Sequence, residues 1–184
     1  MKKKAVRDLM VPLSEYATVS EDATLYEAVN ALEKAQKEFN ETRYQHRAIL
    51  ITNKKEQIVG KLSQLDVILA LEPKYGEMGD QKSLSRLGFS KKFLMSMIEQ
   101  YKLWELPLND ICRKAANIKV KTFMYTPTEG EYVAEDSSLD EAVHQLVMGH
   151  HQSLLVTKGK EIIGILRLTD VFKELCDMIK TCHL

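Results

Sequence analysis

The residues able to do chemistry gather at a few places along this 184-residue chain. Ser63-Gln64-Leu65-Asp66 follows Ile58-Val59-Gly60-Lys61-Leu62 and leads into Val67-Ile68-Leu69. Arg167-Leu168-Thr169-Asp170 follows Ile162-Ile163-Gly164-Ile165-Leu166 and leads into Val171-Phe172. Each reads as an extended segment opening a helix whose first turn carries a carboxylate. Ser63-x-x-Asp66 is the pattern of an N-terminal cap, with Asp favoured by the helix dipole. Asp170 can be a plain first-turn carboxylate, with Thr169 as the cap. A carboxylate so placed is also able to accept hydrogen bonds from two hydroxyls of a ligand. His46, Arg47 and His151 stand just before apolar runs, either as partly exposed polar residues or as partners for an anion. His150-His151 has no Cys or acidic ligand at helical spacing, and Cys176, Cys182 and His183 are a poor metal set. There is no Gly-x-Ser-x-Gly, P-loop or H-E-x-x-H, and no carboxylates pair as acid and base, so the chain reads as a non-enzyme.

The two stretches belong to a longer internal repeat. With Met10 laid on Met124, an offset of 114, Val19 falls on Val133, Glu21-Asp22 on Glu135-Asp136 and Glu27-Ala28-Val29 on Glu141-Ala142-Val143. His46 falls on His151 at an offset of 105, and Gly60 and Asp66 fall on Gly164 and Asp170 at 104. The offset changes between Leu32 and His46 and in the turn after Thr52, which places the length differences in connections. Thr24-x-x-Glu27 and Ser138-x-x-Glu141 are capping boxes that start equivalent helices. Leu25, Ala28, Val29 and Leu32 form an apolar face that Leu139, Ala142, Val143 and Leu146 repeat. Ala48 to Thr52 and Ser153 to Thr157 read as buried strands, with return strands at Ile58-Val59 and Ile162 to Leu166. Closing helices follow over roughly Ser63 to Leu71 and Thr169 to Ile179. Gly149 is expected to end the second copy's first full helix.

The expected organisation is a first repeat over 5–71, a helical insert over 72–118 and a second repeat over 119–180. Pro73, Gly76 and Gly79 make the insert's start a loop. Ser90 is expected to cap a helix whose Phe93, Leu94, Met97, Ile98 and Tyr101 form one face, read as core or dimer contact. Leu106-Pro107 stops it, and Asn109 is expected to cap a further short helix.

Hydrophobic residues make up 45% and charged residues 28%, a globular balance. Lys+Arg and Asp+Glu both number 26, so no net charge draws the chain to nucleic acid or membrane. No apolar run approaches ~18 residues, and the basic start, Met1-Lys2-Lys3-Lys4, lacks the apolar core of a signal peptide. The three cysteines form no CxxC pair, which fits a reducing cytoplasm.

The whole pattern resembles a tandem pair of cystathionine-beta-synthase-type (CBS) domains, a Bateman module. The resemblance is carried by Gly60-x-x-Ser63-x-x-Asp66, by Gly164 to Asp170, and by the openings Val6-Arg7-Asp8-Leu9-Met10 and Val120-Lys121-Thr122-Phe123-Met124. It implies an α+β fold of two pseudo-twofold-related β-α-β-β-α repeats packed sheet to sheet, with clefts between them. It also implies a regulatory ligand containing adenosine: AMP, ADP, ATP or S-adenosylmethionine. On that pattern Asp66 and Asp170 grip ribose hydroxyls, and Ser63 contacts ribose or phosphate. Thr18, Val19, Tyr132 and Val133 lie at the base-facing strands, while His46, Arg47 and His151 meet phosphate. No other cofactor is implied. The resemblance further implies a homodimer and a protein partner in trans.

Two residues depart from the pattern. Arg167 occupies the second copy's Ser/Thr position, where it either pairs with Asp170 or reaches a phosphate. Lys61 stands where an apolar residue is usual, as on a strand at a sheet edge. Both departures fit the alternative reading, a ligand-free interaction scaffold of the same fold.

Overall fold

The computed structural model describes residues 4–38, 47–78, 88–105 and 107–181. His46, Gly79, Leu106, Cys182 and His183 lie outside the described residues. The strands are β1 (Val11–Pro12), β2 (Thr18–Ser20), β3 (Ala48–Thr52), β4 (Ile58–Ser63), β5 (Tyr132–Ala134), β6 (Ser153–Lys158) and β7 (Glu161–Arg167). The helices are α1 (Leu25–Glu38), α2 (Gln64–Leu71), α3 (Lys91–Tyr101), α4 (Leu108–Asn117), α5 (Leu139–Gly149) and α6 (Leu168–Thr181). One sheet has the order β2-β3-β4 and the other β1-β7-β6-β5. In each, a short strand runs parallel to a long one (β2 with β3, β5 with β6) that returns through an antiparallel hairpin. This is the duplicated α+β architecture expected from the sequence.

Local chemistry starts the helices where the repeat predicts. Thr24 N–H donates to Glu27 Oε2 at 2.6 Å, and Glu27 N–H donates to Thr24 Oγ1 at 3.2 Å. Ser138 N–H donates to Glu141 Oε2 at 3.2 Å. α5 ends at Gly149 with His150 in the left-handed region, φ 51°. α1 runs three residues longer than α5 (14 against 11), which supplies part of the extra length in the first copy.

The opening segment of each repeat crosses to the other repeat, which the sequence does not announce. β1 pairs antiparallel with β7, Val11 opposite Ile165. Its counterpart Tyr125 pairs with Lys61 of β4, each N–H donating to the other's carbonyl at 2.9 Å. Ala5 bridges Ser138, and Lys119 bridges Thr24. These are the same two contacts carried out twice, at offsets of 114 and 104. Gly60 and Gly164 serve this exchange. A Cβ on Gly164 would lie 2.6 Å from the Val11 carbonyl oxygen, and one on Gly60 would lie 2.8 Å from Met124 Sδ. The motif glycines are there for close backbone approach, not for a turn.

Three apolar clusters follow the symmetry. One packs α5 on the second sheet and takes in Val6 from the first repeat; another packs α1 on the first sheet and takes in Val120 from the second. The third joins the two sheets through Leu50, Leu155, Ile165, Val11 and Tyr16. Leu50 and Leu155 are equivalent residues, 0% and 1% exposed, so truncating either to Ala costs about 2–5 kcal/mol.

The insert is tied to the first repeat's closing helix. Glu72, buried, accepts the Trp104 N–H at 2.8 Å, and Lys114 Nζ donates to the Leu71 carbonyl at 2.6 Å. Ser90 caps α3 as expected, its Oγ accepting from Phe93 N–H at 3.2 Å. α4 instead starts at Leu108, with Pro107 rather than Asn109 at the cap position and no side-chain cap bond; the Pro107 carbonyl accepts from Asp110 N–H at 2.9 Å. The apolar face of α3 is not core: Phe93, Leu94 and Ile98 are all more than 40% exposed.

Candidate functional site

A cavity of about 780 Å³ opens between the repeats. It is lined by equivalent segments of both: Arg47-Ala48 with Gln152-Ser153, and Ser63 to Asp66 with Arg167 and Thr169. Two matching hydrogen bonds set these segments, Gln64 N–H to the Arg47 carbonyl at 3.2 Å and Leu168 N–H to the Gln152 carbonyl at 2.9 Å. The strand that enters the sheet is thereby locked to the start of the closing helix.

The first copy presents a capped carboxylate. Ser63 N–H and Ser63 Oγ–H donate to Asp66 Oδ2 at 2.7 and 2.6 Å, and Asp66 N–H donates to Ser63 Oγ at 3.2 Å. Among the described residues no group bonds Oδ1. Ser63 thus fixes the carboxylate through one oxygen and leaves the other unbonded among the described residues. The second copy differs. Arg167 forks onto Asp170, Nε to Oδ2 at 2.5 Å and Nη2 to Oδ1 at 2.7 Å, with side chains 6% and 14% exposed. Both oxygens of Asp170 are taken by the protein's own guanidinium. Asp170 is absent from the cavity lining, while Arg167 is part of it.

Of the other residues singled out from sequence, Arg47 and His151 line the cavity and His150 joins them. Arg47 is exposed and has no acidic partner among the described residues. The His151 ring lies against Gly149, 2.0 Å from where a Cβ would be built. Thr18, Val19, Tyr132 and Val133 do not line the cavity. Val19 and Val133 pack into the two repeat cores, and Thr18 and Tyr132 pair with Leu50 and Leu155. Their strands act on the cleft by seating β3 and β6.

A buried group in the cavity wall joins Lys61 to two residues that the sequence reading does not include, Glu131 and Tyr125. Lys61 Nζ is ion-paired with Glu131 Oε2, and Tyr125 O–H donates to Glu131 Oε1 at 2.5 Å. Lys61 also lies over the Tyr125 ring, 5.2 Å from its centroid. Glu131 is 1% exposed. Burial pushes its carboxyl up, but hydrogen bonds from Lys61, Tyr125 and the Thr128 backbone outweigh that and hold it below the usual carboxylate range. The bond to Glu131, with burial, pushes the Tyr125 phenol up. Lys61 comes from the first repeat, Glu131 and Tyr125 from the second, so this pair spans the cleft. It explains the lysine in β4, which is the outer strand of its sheet. The signal for Glu131 was available: Thr128-x-x-Glu131 is itself a capping box, and it forms. Tyr16, 7% exposed, also lines the cavity; burial is the main cause that pushes its phenol up, with Arg167 lowering and Asp170 raising it.

Among the described residues, no helix is long and apolar enough to cross a membrane. No group of three or more His, Cys, Asp or Glu side chains among them is placed to hold a metal ion.

Two pseudo-symmetric α+β repeats exchange their opening segments and enclose a polar cleft, and together they define a duplicated α+β module. The family model for the CBS domain matches residues 6–73 and 120–177, and the chain belongs to that family. No functionally curated protein matches it. Among solved structures, it is similar to a CBS domain-containing protein of unknown function from Bacillus anthracis, at 16% identity and TM-score 0.62, over 96% of this chain and 95% of that one. It is also similar to the CBS-pair protein CBSX2 from Arabidopsis thaliana, at 16% identity and TM-score 0.61, over 97% and 98% of the two chains. A structure of CBSX2 in complex with AMP matches at 18% identity and TM-score 0.56, over 95% and 98%.

Proposed function

We propose that this protein is a regulatory module that binds an adenosine-containing ligand, AMP, ADP, ATP or S-adenosylmethionine, in the cleft between its repeats. The observation that carries the reading is the cleft at Asp66: a carboxylate held through one oxygen by Ser63, with Arg47 on the same cavity and without an acidic partner among the described residues. Asp66 takes ribose hydroxyls, Arg47 and His151 face phosphate, and Leu65, Ala48 and Tyr16 supply apolar and aromatic wall for the base. The AMP-bound relative of the same fold supports the choice of ligand class. Occupancy would bear on residues from both repeats, including the Lys61–Glu131 pair, and so on how the repeats pack. α2 and α6 carry exposed Ile68, Phe172 and Ile179, which supports output through a homodimer or a partner in trans.

A thermal-shift panel with the four ligands tests this. A ligand that binds only the folded state at 100 times its Kd stabilises by about 2.7 kcal/mol and raises Tm. No shift with any of the four at millimolar concentration would remove the reading and leave a ligand-free scaffold.

A further inference from the structure

We infer that the cleft selects a nucleoside monophosphate against di- and triphosphates. This rests on the reading of the cleft as an adenine-nucleotide site and concerns which nucleotide it takes. Of the arginines and lysines that line the cavity, the protein has already committed two. Arg167 is forked onto Asp170, and Lys61 is held by Glu131. All four of these side chains are largely buried, from 1% to 16% exposed. Drawing either cation to a ligand phosphate would strand its carboxylate in the wall, and an unpaired buried charge is strongly unfavourable. Arg47 alone has no acidic partner among the described residues. The lining also carries the carboxylates of Asp66 and Glu131, which repel phosphate charge. A phosphomonoester brings about −1.5 to −2 charges at pH 7, and each further phosphate adds more. One uncommitted guanidinium among the described lining residues suits the first load and not the larger ones. At the equivalent place in the second repeat, Arg167 occupies Asp170, so no second carboxylate clamp offers itself to compensate.

The test is isothermal titration of the full chain with adenosine, AMP, ADP and ATP at about 0.15 M salt and about pH 8. AMP is expected to bind at least about tenfold tighter than ATP, with ADP between. Glu131→Gln, which releases Lys61, is expected to narrow that gap by raising ATP affinity. Arg47→Gln is expected to weaken AMP about tenfold and leave adenosine unchanged. ATP binding as tightly as AMP to the wild-type chain would overturn the charge argument while leaving the nucleotide site standing. No binding by any of the four would overturn the reading of the cleft as an adenine-nucleotide site and this inference with it.

Discussion

Replacing Lys61 by Met should cost far more stability than replacing Glu131 by Gln. Methionine keeps the length of the lysine stem but leaves the Glu131 carboxylate, 1% exposed, with Tyr125 and Thr128 as its partners among the described residues. Breaking a buried pair from this side costs about 3–5 kcal/mol. In the converse change the stranded ammonium is 16% exposed and sits over the Tyr125 ring, so water and the ring soften the loss to about 1–2 kcal/mol. With a urea m-value of about 2 kcal/mol/M, Lys61→Met lowers the unfolding midpoint by about 1.5–2.5 M. The double variant Lys61→Met with Glu131→Gln should recover much of this, because no charge is left buried. The pH dependence has a definite sign. In the wild-type chain the Glu131 carboxyl is held low, so its contribution is present above the ordinary carboxylate pKa, about 4.3, and is lost as pH falls through the folded value. In Lys61→Met burial loses its main counterweight and the carboxyl moves up. The penalty is then relieved as pH falls from 7 toward 5, and the gap to wild type narrows. A loss below about 1 kcal/mol, or a gap equal at pH 7 and 5, would refute the claim that this pair is a buried cross-repeat tie.

Gly164→Ala should destabilise by about 1–3 kcal/mol, since the new Cβ meets the Val11 carbonyl and β1 must shift; chemical denaturation checks it. Gly60→Ala should cost less, because its nearest neighbour is the Met124 side chain, although the Tyr125 carbonyl at 3.2 Å keeps it above zero. Gly149→Ala should leave Tm unchanged or slightly raised, as alanine favours the helix end, while it pushes the His151 ring out of place. Loss of AMP affinity without loss of stability, read by calorimetry, is the expected outcome.

Much of this fold is legible in the sequence because its signals are local. Thr24 with Glu27, Ser138 with Glu141 and Ser63 with Asp66 are caps within one turn, and each forms where its spacing says. Leu25, Ala28 and Leu32 face the core because they share one side of a helix. What escapes the sequence is non-local. That Val6 packs in the second repeat and Val120 in the first depends on chain crossing, on which periodicity is silent. Lys61 and Glu131 are seventy residues apart, and nothing in either neighbourhood names the other. The Arg167 departure is visible in the sequence, which leaves it either pairing with Asp170 or reaching a phosphate; the pair with Asp170 forms, with both side chains largely buried. The stripe on α3 predicts the helix that forms, and of its two readings, core or dimer contact, the exposure of Phe93, Leu94 and Ile98 goes against core, because an amphipathic pattern specifies a face and not what covers it.

The central claim is that the Asp66 cleft binds an adenosine ligand through its ribose hydroxyls. Calorimetric titration of AMP into wild-type protein and into Asp66→Asn tests it most directly. Asparagine keeps an oxygen to accept from Ser63, so the helix cap survives and only the second acceptor and the charge are lost. The account predicts saturable binding at about one AMP per chain, tighter than about millimolar, weakened about tenfold in Asp66→Asn with little change in Tm. No heat of binding, or an affinity that Asp66→Asn leaves unchanged, would contradict it.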